Sequence, residues 1–116
     1  MIAVNQTRDA VLAECVLEAA TFFTRLRGLM FRSELGAREG MLIDPCNCVH
    51  TCFMRFAIDV AFLDSERNVA AVIDSMKPWR FSKLHKSSRE VLELPAGTIK
   101  RTGTVVGDRI LLQESR

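Results

Sequence analysis

Three of the four cysteines, one of the two histidines, an arginine and two aspartates fall between Cys46 and Asp64. Thiols and imidazoles are metal ligands, nucleophiles and proton carriers, so chemistry is sought here first. Cys46, Cys48, His50 and Cys52 follow one another at two-residue spacing, which on an extended strand places all four on one face. Steps of about 6.6 to 7 Å spread them over about 20 Å, too far for one zinc ion with bonds of about 2.0 to 2.3 Å. Two neighbours could share an ion, or three if residues 45–47 turn back, but the spacing matches no closed zinc signature. A redox role for Cys46, Cys48 or Cys52 with His50 requires an accessible thiol of lowered pKa, with Arg55 or His50 beside it. The competing reading makes the cysteines small buried apolar residues, most plainly Cys15 on an alternating strand.

His50 reads either as a ligand donor or general base, or as a buried ring satisfied by backbone or by Asp59. Arg55 and Asp59 stand four apart and share a face if their strand is continuous. They form an ion pair, or an arginine that takes a carboxylate or phosphate while Asp59 orients it. Trp79, between Lys77 and Arg80, either stacks on a ligand or plugs one open end of the sheet. Asp44, Asp64 and Asp108 read as turn formers, and His85 as an exposed loop residue. No phosphate-cradling glycine loop, serine elbow or His-Glu-x-x-His helix occurs.

The elements that must position these groups are mostly strands. Short strands are expected at residues 2–4, 41–43, 49–54, 58–63, 69–73, 91–94 and 109–113. Residues 11–18 alternate, with Val11, Ala13, Cys15 and Leu17 on one face and Leu12, Glu14, Val16 and Glu18 on the other. Thr21 is a good N-cap for a short helix over 21–27 that Gly28 closes, and residues 98–102 form a helical turn. Residues 64–68 make a hairpin turn, and 77–89 a polar loop. The fold class is α+β: a mostly antiparallel β sheet or small barrel-like β domain with one or two short helices.

The chain has 116 residues, 48% of them apolar and 26% charged, which bounds it to one domain, 1–116, of ordinary composition. Net charge is +2, too small by itself to call for nucleic acid or membrane. It is uneven: residues 77–101 hold seven Lys/Arg and two Glu, net +5, which leaves −3 for the rest. That stretch reads as a solvated loop or a mild patch for anions. No stretch approaches the roughly 20 apolar residues of a membrane span, and no secretory signal is visible. A cytoplasmic, soluble protein with reduced thiols is expected.

In chain order stand Gly28-Leu-Met-Phe-Arg32, Gly40-Met-Leu-Ile43, the run His50 to Asp64, Lys77-Pro-Trp-Arg-Phe81, Val91-Leu-Glu-Leu-Pro-Ala-Gly97, and Gly103 with Gly107-Asp108. Together they resemble the bacterial and archaeal domain-of-unknown-function 192 family over roughly residues 20–112. The resemblance implies a compact α+β domain and brings no activity with it. It implies a bacterial source here, and it implies relatives that are often exported or lipid-anchored, although this chain shows no such leader. The Cys46 and His50 pair looks like one branch of that family. An aromatic or apolar residue would be expected where Cys52 stands, so the resemblance does not support a three-cysteine site.

These readings lead to a small binding module for a polar or anionic ligand. Its site would lie between the 21–32 segment, the 50–59 strand and the Trp79 loop, with candidate residues Arg27, His50, Thr51, Met54, Arg55, Asp59 and Trp79. The alternatives are a redox or metal-dependent enzyme using Cys46, Cys48, His50 and Cys52, and a protein-interaction domain. No cofactor and no nucleic-acid partner are expected.

Overall fold

The computed structural model describes residues 1–114 except 22, 23, 26, 27 and 31. In chain order the described elements are β1 (Ile2–Asn5), β2 (Ala10–Ala13), β3 (Cys15–Ala19), β4 (Glu39–Ile43), β5 (Ile58–Leu63), β6 (Val69–Met76), β7 (Glu90–Pro95), α1 (Thr98–Thr102) and β8 (Ile110–Gln113). They build a three-stranded sheet in the order β2-β1-β8 and a five-stranded sheet in the order β3-β4-β7-β5-β6. Every named strand pair is antiparallel except β3 with β4. The sheets are open, so the mostly antiparallel α+β architecture stands and its barrel-like variant does not form among the described residues. None of the described helices is long and apolar enough to cross a membrane.

β5 and β7 are buried on both faces and therefore read as nearly unbroken apolar runs. Strand parity divides their side chains. Ala61, Leu63, Leu92 and Leu94 meet Leu12, Ala13, Val16 and Ile110 in one core, with residues from both sheets. Ile58, Val60, Phe62 and Val91 meet Met41, Ile43, Leu29, Val49 and Met54 in a second core. The last three belong to irregular segments, which cover the second face of the large sheet. Phe62 is the bulkiest of the fully buried side chains, and truncating such a residue to alanine costs about 3 to 5 kcal/mol. Gly40 lets the sheets approach: a Cβ there would stand 3.2 Å from Ala13 Cβ and 3.2 Å from Leu94 Cδ2.

Several expectations change. Residues 11–18 are not one alternating strand, because the chain leaves one sheet for the other at Glu14. There the N–H groups of Glu14 and Cys15 both donate to the Arg38 carbonyl, at 2.8 and 3.0 Å. Parity breaks at that step, and Cys15 is exposed instead of buried. Residues 49–54 are not a strand either. Only His50 bridges, to Phe81, and the surrounding segment is laced to 77–89 by single hydrogen bonds. His85 is half-buried, not exposed, with its ring 4.1 Å from that of Phe62. Of the helix expected over 21–27, the described part agrees. Thr24 and Arg25 are helical, and Thr24 N–H donates to Thr21 Oγ1 at 3.2 Å, the N-cap bond; residues 22, 23, 26 and 27 lie outside the described residues.

Candidate functional site

On an extended strand Cys46, Cys48 and His50 would spread apart unless residues 45–47 turned back; the fold brings them to one cavity. All three line one cavity of about 50 Å3, with Met54, Val49, Ile43, Leu29, Met30, Gly28, Arg25 and Glu93. Irregular backbone makes this possible. Cys46 N–H donates to the Arg89 carbonyl at 2.8 Å, Ser88 Oγ donates to the Cys46 carbonyl at 3.0 Å, and Ser82 N–H donates to the Val49 carbonyl at 2.9 Å. These bonds fold residues 46–50 over the second core. Gly28, also in the lining, sits at φ +47°, a conformation that favours glycine. A Cβ there would lie 3.6 Å from Glu93 Oε1 and 3.9 Å from Ile43 Cδ1, so the missing side chain helps keep the space open.

Glu93 is the unusual member. It stands on the central strand β7, between Met41 of β4 and Val60 of β5. It has the parity of Val91, which places it on the second-core side. Its residue is 3% exposed, and Oε1 has no hydrogen-bond partner among the described residues. Burial pushes its pKa up to about 8, so the carboxyl is largely protonated at neutral pH. Burial likewise pushes the Cys46 thiol up, and its Sγ lies 3.0 Å from the Cys48 carbonyl oxygen as donor. His50 Nδ1 accepts the Cys52 N–H at 3.2 Å, which puts the proton of a neutral ring on Nε2. Arg25 Nη1 donates to the Pro45 carbonyl at 3.2 Å and brings positive charge to the wall.

Of the residues expected to bind a ligand, His50 and Met54 line this cavity. Thr51 is buried as a loop fastener: Oγ1 donates to the Lys77 carbonyl at 2.6 Å and accepts the Arg80 N–H at 2.9 Å. Asp59 is fully buried, accepting the N–H of Ser75 at 2.8 Å and of Ile99 at 2.8 Å. It anchors α1 and the irregular pairing of β5 with β6. Arg55 precedes β5 and is exposed, so the continuous strand that would have set it beside Asp59 does not exist. Trp79 is exposed and packs on Phe53, at 4.7 Å between ring centroids, outside the cavity lining. Arg27 lies outside the described residues. Cys52 is half-buried and does not join Cys46 and Cys48 in the lining. Among the described residues no three His, Cys, Asp or Glu side chains are grouped to hold a metal ion.

Sequence reasoning missed Glu93, Arg25 and Gly28 as members of the site. Glu93 did leave a signal, since a carboxyl inside Val91-Leu-Glu-Leu94 interrupts an apolar run on a strand.

Two open β-sheets packed together, with a small, mostly apolar cavity that holds one buried carboxyl under the irregular face of the larger one, define the class of domain. The chain matches the model of the domain-of-unknown-function 192 family, described as "Uncharacterized ACR", over residues 3–112, and it belongs to that family. It is 40% identical over 112 residues to a UPF0127 protein of Pyrococcus abyssi, covering 94% of this chain and 95% of that one. A UPF0127 protein of Thermococcus sibiricus is 32% identical over 111 residues, covering 92% of this chain and 71% of the relative. These relatives are archaeal, which removes the expectation of a specifically bacterial protein. Among solved structures, a protein of unknown function from Novosphingobium aromaticivorans superposes with a TM-score of 0.84 at 25% identity, over 96% of this chain and 83% of that one.

Proposed function

We propose that this domain is a binding module whose cavity receives the small polar end of a ligand. Glu93 carries the reading: a buried carboxyl lines the cavity with an oxygen that no described residue meets, and such a group is costly unless something meets it. A cavity of about 50 Å3 is far below the several hundred Å3 of a site that encloses a drug-sized molecule. It suits a group of a few heavy atoms, such as a carboxylate or carboxamide. Protonated, Glu93 donates to an incoming oxygen where an ionised carboxylate would repel it, and Arg25 adds a positive charge. This keeps the polar or anionic ligand class and moves its contacts from Arg55, Asp59 and Trp79 to Glu93, Arg25 and His50. The raised Cys46 thiol disfavours thiolate chemistry at the same place. Four free cysteines accord with a reducing cytoplasm.

Amide and carboxyl NMR titrations with acetate, acetamide and urea test the reading. Saturable shifts are expected at Gly28, Cys46, Cys48 and Glu93, weakened in Glu93→Gln and abolished when Cys48→Phe fills the mouth. Absence of saturable shifts for all three probes in the folded wild-type protein overturns it.

A further inference from the structure

Residues 45–58 and 75–89 contain no aspartate or glutamate, yet they carry Arg55, Lys77, Arg80, Lys83, Lys86 and Arg89. The two segments form one irregular ribbon. Thr51 N–H donates to the Arg80 carbonyl, Trp79 N–H to the Thr51 carbonyl, Ser82 N–H to the Val49 carbonyl and His85 N–H to the Asn47 carbonyl. On it stand Phe53, Trp79, Phe81 and Leu84, respectively 47, 56, 77 and 56% exposed. Among the described residues, these are the only exposed large aromatic side chains together with one leucine, gathered on a single basic ribbon. Exposed apolar groups so clustered mark an interaction surface.

The backbone holds the rings out. Phe53 and Trp79 take φ values of +64° and +62°, a region strained for bulky residues. Thr51 secures that strain by accepting the Trp79 N–H at 3.0 Å through its carbonyl and by donating its hydroxyl to the Lys77 carbonyl.

We infer that this ribbon docks the protein onto an anionic lipid bilayer. Trp79, Phe81, Leu84 and Phe53 enter the boundary between headgroups and acyl chains, while Lys77, Arg80, Lys83 and Lys86 meet lipid phosphates. Amphipathic aromatics with interspersed basic residues suit that interface, and the absence of any acid on the ribbon supplies the charge complementarity. Single-stranded nucleic acid fits less well, because successive bases stack on a run of ring faces. The Trp79 and Phe53 rings stand at 59° to each other, and Leu84 has no ring. A protein partner fits less well too, since charges are depleted at the centre of such interfaces and here they alternate with the apolar groups.

Trp79 is the only tryptophan, so its fluorescence reports the contact directly. Vesicles of phosphatidylcholine containing phosphatidylglycerol are expected to shift its emission to the blue and to co-sediment with the protein, less so as salt rises. Vesicles of phosphatidylcholine alone are expected to do neither. Each basic charge removed should weaken binding about fivefold, so Lys83→Glu with Lys86→Glu should lose at least about 25-fold. Phe81→Ser with Leu84→Ser should abolish the blue shift while Trp79 remains as probe. All four positions are exposed, and an unchanged thermal melt confirms that the variants fold. Glu93→Gln should bind vesicles like the wild type, which separates this surface from the cavity. The inference is overturned by no blue shift with anionic vesicles at low salt, by equal binding to both vesicle types, or by binding that survives these variants. Tighter saturable binding of a single-stranded oligonucleotide or an acidic peptide through the same ribbon overturns it as well.

Discussion

Asp59 and Glu93 are neighbours in one sheet and opposites in design. Asp59 on β5 pairs with Leu94 on β7, and the next residue, Val60, pairs with Glu93. The two acids therefore sit one step apart in register, on opposite faces, and both are buried. Asp59 has two backbone N–H groups, one on each carboxyl oxygen. Glu93 Oε1 has none among the described residues, and burial raises the pKa of the group to about 8. The first acid closes the account of backbone donors at α1 and at the irregular turn of β6. Among the described residues the second leaves Oε1 unpaired.

Glu93→Gln breaks this comparison most strongly, and it does so through pH. The ordinary value of the group is 4.5, and the folded value is about 8. Below 4.5 both states hold the proton, and the stability linked to it is fully present. Between 4.5 and 8 the unfolded chain ionises before the folded one, so stability falls as pH rises, by about 1.4 kcal/mol per unit. Over 8 − 4.5 = 3.5 units the loss reaches, as an upper bound, about 5 kcal/mol. Glu93→Gln cannot ionise and lacks this slope. Urea denaturation from pH 5 to 8.5 should show the wild type declining relative to the variant and the variant more stable near pH 8. Parallel curves would sink the assignment.

Asp59→Ala attacks the other side. It orphans the buried N–H of Ile99, at about 1 to 3 kcal/mol, and frees the N–H of exposed Ser75 to water, so a loss of about 2 to 3 kcal/mol is expected. Hydrogen exchange should show α1 opening first. A loss below about 1 kcal/mol would mean that water serves those donors as well as Asp59 does.

Most of the strands were legible because β-branched and aromatic runs end at turn residues: residues 58–63, and the 64–68 turn where Asp64 Oδ1 accepts from Glu66 and Asn68. The site was half legible. Chemistry-bearing types picked out Cys46, Cys48 and His50, but their convergence depends on irregular backbone, for which period-two spacing is the wrong ruler. Glu93 was hidden because its meaning lies in what surrounds it, and no local pattern shows that an oxygen will be left unpaired. Arg55 and Asp59 failed as a pair for a related reason, since a shared face requires a strand that starts before Arg55 and β5 starts at Ile58.

Thr51→Val is a smaller perturbation, because the valine keeps the shape and loses only the hydroxyl. Oγ1 serves the Lys77 carbonyl and the Arg80 N–H, so about 2 kcal/mol is expected. The loosened part should be the Trp79 loop, while the cavity at Glu93 keeps its pH slope. A Trp79 emission maximum unchanged by the substitution would show that other contacts hold the loop.

Arg55→Ala should have the smallest effect, and it sharpens the comparison by separating two meanings of a charged residue near a buried acid. If Arg55 balanced Asp59, removing it would leave a buried charge unpaired at several kcal/mol. Arg55 is exposed, and both oxygens of Asp59 already hold backbone N–H groups. Stability should therefore change by no more than about 0.5 kcal/mol, the range of surface substitutions. Thermal melts of Arg55→Ala, Asp59→Ala and the double variant settle the matter through their coupling. Independent sites add, so the double variant should match Asp59→Ala within about 0.5 kcal/mol. A coupling energy above about 1 kcal/mol would reinstate the ion pair.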